Sequence, residues 1–281
     1  MTGFTEILPN ARPTGAFLVI AFLFVVLEYA YSRLADHDDT GTYNLRETAA
    51  SFGVAVGDVV TRLAMGSITA VPFFFLYQHR LFDIALDRPA SWFGLFIGVE
   101  FLYYWFHRAS HRVRWLWATH AVHHSAPAFN LSAAVRLGWT GQLSGAFVFF
   151  LPLALIGFNP FAIVTVIGLG LLYQFFLHTT LPVHLGPLEW VLNSPRHHRI
   201  HHASNDSCLD KNYGSVLIIF DRLFGTFAGA PCNEPLRFGL KGRTAGLNPF
   251  AIAFGEWIVL WQDFSRARAV RERLKILFGP P

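Results

Sequence analysis

Five long apolar stretches constrain the fold of this chain more than any other feature of its sequence. They cover residues 15–31, 52–77, 92–106, 143–158 and 161–177. A helix rises about 1.5 Å per residue, so roughly 20 residues cross the ~30 Å hydrocarbon core of a bilayer. Only 14% of the residues are charged, whereas soluble domains carry about 25%. The pattern predicts an all-α polytopic membrane protein with about four to five transmembrane helices.

A short turn signal, GFNP at residues 157–160, separates the fourth and fifth stretches. Because glycine and proline interrupt helices, we expect a tight helical hairpin there. The ionisable residues inside the five stretches are few, namely Glu28, Asp58, Arg62 and Glu100. Such groups within a bilayer face a partner or a cavity. Asp58 and Arg62 are four residues apart, so we expect them to pair on one helix face.

Lysine and arginine are distributed unevenly, and 16 of the 22 lie at or after Arg108. Cytoplasmic loops of membrane proteins carry an excess of these residues. We therefore expect the segments after Arg108, apart from the 143–177 hairpin, to face the cytoplasm of a bacterial inner membrane, with the N-terminus outside. The basic residues form no stripe beyond the segments that flank the membrane, so no nucleic-acid partner is expected.

No linker, low-complexity tract or internal repeat divides the sequence. We expect a single membrane-embedded domain over residues 1–281, with a histidine-rich core at about 100–227 and a basic C-terminal tail at about 262–281. The first thirteen residues lack the basic start of a cleavable signal peptide, so none is expected. The sequence leaves the oligomeric state open.

The histidines fall into sets with helical spacing. Thirteen are present, and eight of them form three sets: His107 and His111; His120, His123 and His124; His198, His201 and His202. Residues three or four apart share one helix face, so we expect each set to direct two or three imidazoles at one point. His178 ends the fifth apolar stretch. His107 follows the third stretch, the set at 120–124 precedes the 143–177 hairpin, and His178 and the set at 198–202 follow it. The topology therefore predicts that all of them meet at one face of the membrane.

Eight or more imidazoles exceed what one metal ion binds. Zinc takes four ligands, or three and a water, so this number fits two ions. Imidazole suits iron, copper, nickel and zinc, and ligand type alone does not choose among them. The lipid setting favours two iron ions, which can activate O2 for attack on an unactivated C–H bond of a lipid chain. We therefore predict a histidine-rich di-metal site at the cytoplasmic edge of the membrane.

A histidine-lined metal transporter or sensor is the alternative from another class. Transporters place their ionisable residues within the spans, near the bilayer midplane. In this sequence the histidines begin where the apolar stretches end. That placement favours an enzyme.

The histidine sets read HRASH, HAVHH and HRIHH. This succession resembles the HxxxH, HxxHH and HxxHH pattern of the fatty acid hydroxylase superfamily, which includes sterol desaturases and lipid hydroxylases. The resemblance extends from about Glu100 to Phe227. Within the superfamily the chain is most similar to alkylglycerol monooxygenases, as shown by the stretches YYWFHRASH, FNLSAAVR, LLYQFFLHTT, LGPLEWVLNSPRHHRIHH and DKNYGSVLIIFDRLFGTF.

The resemblance implies a non-haem di-iron oxygenase with a helical cytoplasmic cap over a membrane stem. Such an enzyme hydroxylates or desaturates a lipid or sterol-like substrate, using O2 and an external electron donor. Because the most similar branch oxygenates its substrate, we favour hydroxylation. The resemblance also implies nine metal ligands: His107, His111, His120, His123, His124, His178, His198, His201 and His202.

The alternative within the superfamily is an ether-cleaving monooxygenase of the alkylglycerol type, which uses tetrahydropterin. That branch has a glutamate directly after the second histidine of HxxxH. This chain has Arg112 there, and a guanidinium keeps its charge at ordinary pH. We therefore expect a different reductant and a bacterial-type or sterol-like lipid. The alternative is that Arg112 faces water and has little effect on the reaction.

Two further histidines are candidate ligands, His184 and His197. On a helix His197 points about 100° away from its neighbour His198, which suits a supporting position better. Ligating histidines donate their second N–H to a carboxylate or a carbonyl. Candidates for supporting positions around the metal site are Glu100, Glu189, Asp210, Asn212 and Asp221. Each of the carboxylates could instead pair with a nearby lysine or arginine.

The sequence contains no GxGxxG fingerprint of a dinucleotide site, no CxxCH haem attachment and no HPGG stretch of a fused cytochrome b5. Electrons must therefore come from an external electron-transfer protein or a small reductant. The basic cluster at residues 266–275 fits anionic lipid better than an acidic donor protein. The preceding sequence, IAFGEWIVLW, is typical of an interfacial helix.

Overall fold

The fold is all-helical over the part of the chain that the structure describes. This computed structural model describes residues 12–34, 43–229 and 234–281. The α-helices are α1 (Arg12–Leu34), α2 (Leu45–Gln78), α3 (Pro89–Arg112), α4 (Arg114–His124), α5 (Leu131–Ala134), α6 (Leu151–Ile156), α7 (Pro160–Leu177), α8 (Pro195–His202), α9 (Ile219–Leu223), α10 (Pro249–Arg266) and α11 (Val270–Phe278). The described residues contain no β-strand, only an isolated bridge between Leu192 and Leu217.

Three of the described helices are long and apolar enough to cross a membrane. They are α1 with its apolar window Phe17–Leu34, the 34-residue α2, and α7. Their surfaces expose large apolar side chains such as Leu27, Leu63 and Val164, which only lipid can cover favourably. The chain is therefore an integral membrane protein.

The described helices in the other two apolar stretches are not long and apolar enough to count as candidate spans. The stretch at 92–106 lies within the 24-residue α3, whose C-terminal end is polar. The stretch at 143–158 is divided into a 3₁₀ helix, Ala146–Phe150, and the six-residue α6. Three candidate spans are found, and the expected total of four to five stays a prediction.

The turn predicted at 157–160 is confirmed. Gly157 ends α6 with φ at +133°, and a Cβ on it would lie 2.0 Å from the carbonyl oxygen of Phe82. Only glycine fits this position without strain. Pro160 then starts α7, where its missing N–H costs nothing, and the side chain of Asn159 accepts a hydrogen bond from the Phe161 amide at 2.9 Å.

The predicted pairing of Asp58 with Arg62 is also confirmed, since Nε of Arg62 donates to Asp58 Oδ2 at 2.7 Å. Near it, α2 packs closely on the segment that follows α5. The Trp139 indole donates to the carbonyl of Val54 at 2.7 Å, and its ring fills the space beside Gly57.

Two buried clusters hold α3 in place. Leu95 and Val99 pack with Leu153 of α6 and Ile163 of α7 in one cluster. In the other, Tyr104 packs against residues 213–220. These contacts fix the C-terminal end of α3, which carries the first two histidines of the predicted site.

Candidate metal centre

Nine histidines form two adjacent groups, which we call the first and the second histidine group. The first contains His107, His111, His120, His124 and His201, and the second contains His123, His178, His198 and His202. Within each group, one imidazole nitrogen of every member lies within 4.8 Å of the others. The groups adjoin, because the rings of His124 and His202 stack with centroids 4.3 Å apart. These are the nine residues that the sequence singled out.

The two short helices α4 and α8 each contribute histidines to both groups. On α4, His120 and His124 belong to the first group and His123 to the second. On α8, His198 and His202 belong to the second group, and His201 to the first. Residues i and i+4 are about 40° apart around a helix, whereas i+3 lies about 60° to the other side. Two members of each triplet therefore share a group, in line with the expected two or three, and the third member, His123 on α4 or His201 on α8, belongs to the other group.

In each group, one imidazole nitrogen lies close to the nitrogens of three other members. In the first group, Nε2 of His120 lies 3.0 to 3.2 Å from Nε2 of His107, His111 and His124. In the second group, Nε2 of His178 lies 3.1 to 3.2 Å from Nε2 of three other members. One ring N–H cannot satisfy three neighbours. Nitrogens bound to a common ion at about 2.0–2.1 Å lie about 3 Å apart, so the donor sets fit metal ions.

Backbone carbonyls fix the orientation of several of these rings. Nδ1 of His107 lies 2.8 Å from the Tyr213 oxygen, and Nδ1 of His178 lies 2.7 Å from the Gln174 oxygen. Nδ1 of His201 lies 2.8 Å from the Lys211 oxygen, and its Nε2 has no hydrogen-bond partner among the described residues. A carbonyl only accepts, so Nδ1 carries the proton and Nε2 keeps its lone pair. This arrangement is common for metal-ligating histidines.

Burial also keeps these rings neutral. It lowers the pKa of all nine histidines below the ordinary value near 6.5, with the proximity of the other rings adding to the effect at most of them. The pKa values of His123 and His201 fall to about 4. At neutral pH each ring therefore offers a lone pair without first losing a proton.

Two carboxylates proposed as supporting residues bind the segment 213–217. Asp221 accepts hydrogen bonds from the Tyr213 and Gly214 amides, both at 2.7 Å. Glu100 accepts from the amides of Val216 at 2.9 Å and Leu217 at 2.7 Å. Because the Tyr213 carbonyl orients His107, these carboxylates act on the site through the backbone. Neither is hydrogen-bonded to a histidine ring.

The other three supporting candidates are also hydrogen-bonded to groups other than the nine imidazole rings. Asn212 donates to the His197 carbonyl at 3.0 Å and so ties α8 to the segment 212–217. Asp210 accepts from Arg112 at 2.6 Å and from the Tyr213 hydroxyl at 3.0 Å. Glu189 accepts only from a backbone amide, at 3.4 Å. The hydrogen bonds of all three are made to groups other than the nine imidazoles.

His184 and His197 belong to neither group. His184 is exposed and lines a cavity beyond α8. The His197 ring packs edge-on against Phe227 at 5.2 Å, in a supporting position. Neither therefore adds a nitrogen to the two donor sets.

Three residues without an assigned role in the sequence analysis support the second group. The Arg136 carbonyl lies 3.2 Å from Nδ1 of His123, and its guanidinium, 1% exposed, pairs with Glu47. Glu28 accepts from residues that directly follow His178. Phe129 stacks on the His178 ring at 5.3 Å. The stretch FNLSAAVR and a carboxylate inside an apolar span were the signals that could have revealed them.

Comparison with known proteins gives the family. The model of the family described as Fatty acid hydroxylase matches residues 92–226, which include all nine histidines of the two groups. The chain belongs to the fatty acid hydroxylase superfamily. No solved structure matches it significantly.

The similar curated proteins act on lipids, as their names state. The chain is 37% identical over 239 residues to an alkylglycerol monooxygenase of Homo sapiens, covering 84% of this chain and 53% of that protein. It is 31% identical over 267 residues to one of Caenorhabditis elegans, covering 92% and 50%. It is 28% identical over 205 residues to the ornithine lipid hydroxylase OlsE of Rhizobium tropici, covering 71% and 58%. The chain thus spans about half the length of the curated relatives it matches.

Proposed function

We propose that this protein is an integral-membrane, non-haem di-iron oxygenase that hydroxylates a lipid, with O2 as co-substrate and an external electron donor. The observation that carries the proposal is the pair of adjacent donor sets, made of nine neutral imidazoles at one end of α3 and α7. The family and the lipid-modifying relatives support it.

The protein would hold one iron in each histidine group. When bound, a pair of irons activates O2 and supplies the oxidising power to break a lipid C–H bond. Hydroxylation inserts one oxygen atom into the substrate and reduces the other to water, so each turnover takes two electrons and two protons from the external donor. The chain's own residues orient the rings through backbone carbonyls and shield them with apolar side chains such as Phe129.

The alkylglycerol type of ether cleavage with tetrahydropterin is the second candidate, because such enzymes share 31% to 37% identity with the chain. Arg112 stands against it, because it occupies the position where that branch has a glutamate. Its guanidinium is more than half exposed and pairs with Asp210. We therefore propose a reductant other than tetrahydropterin.

The placement in the cell is part of the same proposal. The basic C-terminal half favours a multi-pass protein of a bacterial inner membrane whose histidine groups face the cytoplasm. There the chain would meet its lipid substrate and its electron donor. A metal transporter is disfavoured, because the donor sets lie at the ends of α3 and α7 and not near their middle.

Metal analysis and product analysis together test the function. The protein purified after iron loading should hold about two irons per chain, and lipid from a complemented deletion strain should contain species heavier by one oxygen. Iron well below two per chain in a fully loaded sample would reject the site, and a product lighter by two hydrogens would reject hydroxylation. Turnover of an alkylglycerol with tetrahydropterin, at a rate that matches its relatives, would overturn the assignment of a different reductant.

A further inference from the structure

A cavity of about 410 Å³ lies against α8 and the loop that follows α7. These segments carry or directly follow three members of the second histidine group, His178, His198 and His202. The apolar wall of the cavity includes Leu181, Val183, Ile200 and Leu236. The loop that forms one side also exposes large apolar side chains, with Trp190 69% and Leu188 59% exposed. Exposed tryptophan and leucine are typical of a segment at a membrane interface, so lipid can reach this cavity.

Two arginines on α8 give the cavity its charge. Arg196 and Arg199 are three residues apart and so share one face of the helix, and both line the cavity. The acidic residue in the lining, Glu234, pairs with Arg237 at 3.4 Å. The cavity therefore holds an excess of positive charge next to an apolar wall.

Arg199 is held in place but keeps free donors. Its Nη2 donates to the Thr179 carbonyl at 3.0 Å, and its guanidinium lies over the Phe129 ring at 5.6 Å. No acceptor among the described residues is bonded to its other N–H groups, and Arg196 has none for its own. Phe129 in turn stacks on His178, so the guanidinium is two ring contacts away from a predicted metal ligand.

We propose that this cavity binds the anionic headgroup, a phosphate or a carboxylate, of the lipid on which the histidine groups act. The inference rests on the proposed function for the identity of that lipid as substrate. Guanidinium groups bind such oxygens with two parallel, charge-assisted hydrogen bonds. Leu181, Val183, Ile200 and Leu236 would contact the first apolar part of the same molecule, which a free anion lacks.

Binding of amphiphiles that differ only in the headgroup tests the proposal. The purified chain in a neutral maltoside detergent is titrated with dodecyl phosphate, with 1-O-dodecylglycerol and with inorganic phosphate, both before and after iron loading. The expected result is that dodecyl phosphate binds at least about tenfold more tightly than the neutral amphiphile, because hydrogen bonds to charged groups change a dissociation constant by about this factor. Inorganic phosphate alone should bind much more weakly than dodecyl phosphate.

Arg196→Gln and Arg199→Gln should each weaken the binding of dodecyl phosphate by about tenfold, with little effect on the neutral amphiphile. Arg199→Lys should recover only part of the loss, because an ammonium group lacks the planar fork. Arg271→Gln, an exposed basic residue of α11, is the matched control and should bind as the unmodified chain does. Arg196 is exposed, so its variant is expected to fold even if that of Arg199 does not.

Three outcomes would overturn the proposal: equal affinity for the charged and neutral amphiphiles, glutamine variants with unchanged affinity, or inorganic phosphate that binds as tightly as dodecyl phosphate. The iron content of each sample separates this proposal from the proposed function. Selective binding that depends on the two arginines in a chain that takes up no iron would reject the oxygenase and keep the anion site. A normal iron content together with unselective binding would reject the anion site and leave the proposed oxygenase standing.

Discussion

Glu28 is a carboxylate within an apolar, membrane-spanning helix, yet it is only 3% exposed and fully hydrogen-bonded. Its Oε1 accepts from Thr179 Oγ1 at 2.5 Å and from the Thr180 amide at 2.7 Å. Its Oε2 accepts from the Leu131 amide at 3.0 Å and from the Tyr43 hydroxyl. This one side chain therefore joins α1 to α5 and to the two residues that follow His178.

Glu28→Gln should destabilise the protein by about 2–4 kcal/mol. The amide has the same shape but only one acceptor oxygen, so the amide N–H of either Thr180 or Leu131 must lose its acceptor. A buried donor without a partner costs about 1–3 kcal/mol, and the bonds that remain weaken because their acceptor is no longer charged. Since Thr179 and Thr180 follow His178 directly, we expect the second histidine group to lose its metal while the first keeps it.

The assay is iron content per chain and the midpoint of thermal unfolding, both measured on detergent-solubilised protein. Glu28→Gln should unfold several degrees lower and retain about one iron where the unmodified chain retains two. Asp58→Asn is the matched control, because Asp58 is also a buried carboxylate in a candidate span, but its partner Arg62 is half exposed. Normal iron content and an unchanged midpoint in Glu28→Gln would refute the reasoning.

Three shorter predictions concern the histidines and the packing. His123→Ala should lose iron and activity and His184→Ala should keep its iron, because only His123 belongs to a donor set; equal iron in the two variants would contradict this. Burial lowers the pKa values of the histidines, so below about pH 6.5 the unfolded state of the metal-free protein binds more protons than the folded state. The midpoint of thermal unfolding of the metal-free protein should therefore stay constant above that pH and fall as the pH decreases towards 4. A midpoint that rises on acidification would contradict the prediction. Gly57→Ala places a Cβ 2.1 Å from the Trp139 ring and should destabilise by about 1–3 kcal/mol, whereas Gly66→Ala, with open space around it, should melt as the unmodified chain does.

The helical fold and the gathering of the histidines could be predicted because both depend on local patterns. Hydropathy marks the spans, and helical spacing with the topology brings His107, His120, His178 and His198 to one place. The turn before Pro160 could be predicted from its glycine and proline for the same reason. Each of these features depends on short sequence patterns and on the order of the apolar stretches.

The division into two groups could not be predicted in this way. Whether His123 joins His120 or His178 depends on the rotation of α4 against its neighbours, and no short stretch encodes that rotation. The partners of Glu100 and Asp221 were equally hidden, because both bind backbone amides, which every residue carries. Sequence patterns identify candidate side chains, but they do not indicate which main-chain segment lies close to each of them in the fold.

The contribution of α4 and α8 to both histidine groups has a consequence for how metal is loaded. His123 and His124 are neighbours on α4, yet they belong to different histidine groups, so a small rotation of this helix would disturb both donor sets at once. The first ion to bind would fix that rotation, and also the one on α8, where His201 and His202 are divided in the same way. The second ion would then find its ligands already ordered and would bind at a lower entropic cost. We therefore expect loading of the unmodified chain to be cooperative, with empty and doubly loaded chains prevailing over chains that carry a single ion. A single ion should persist only where one group has been damaged, as in Glu28→Gln.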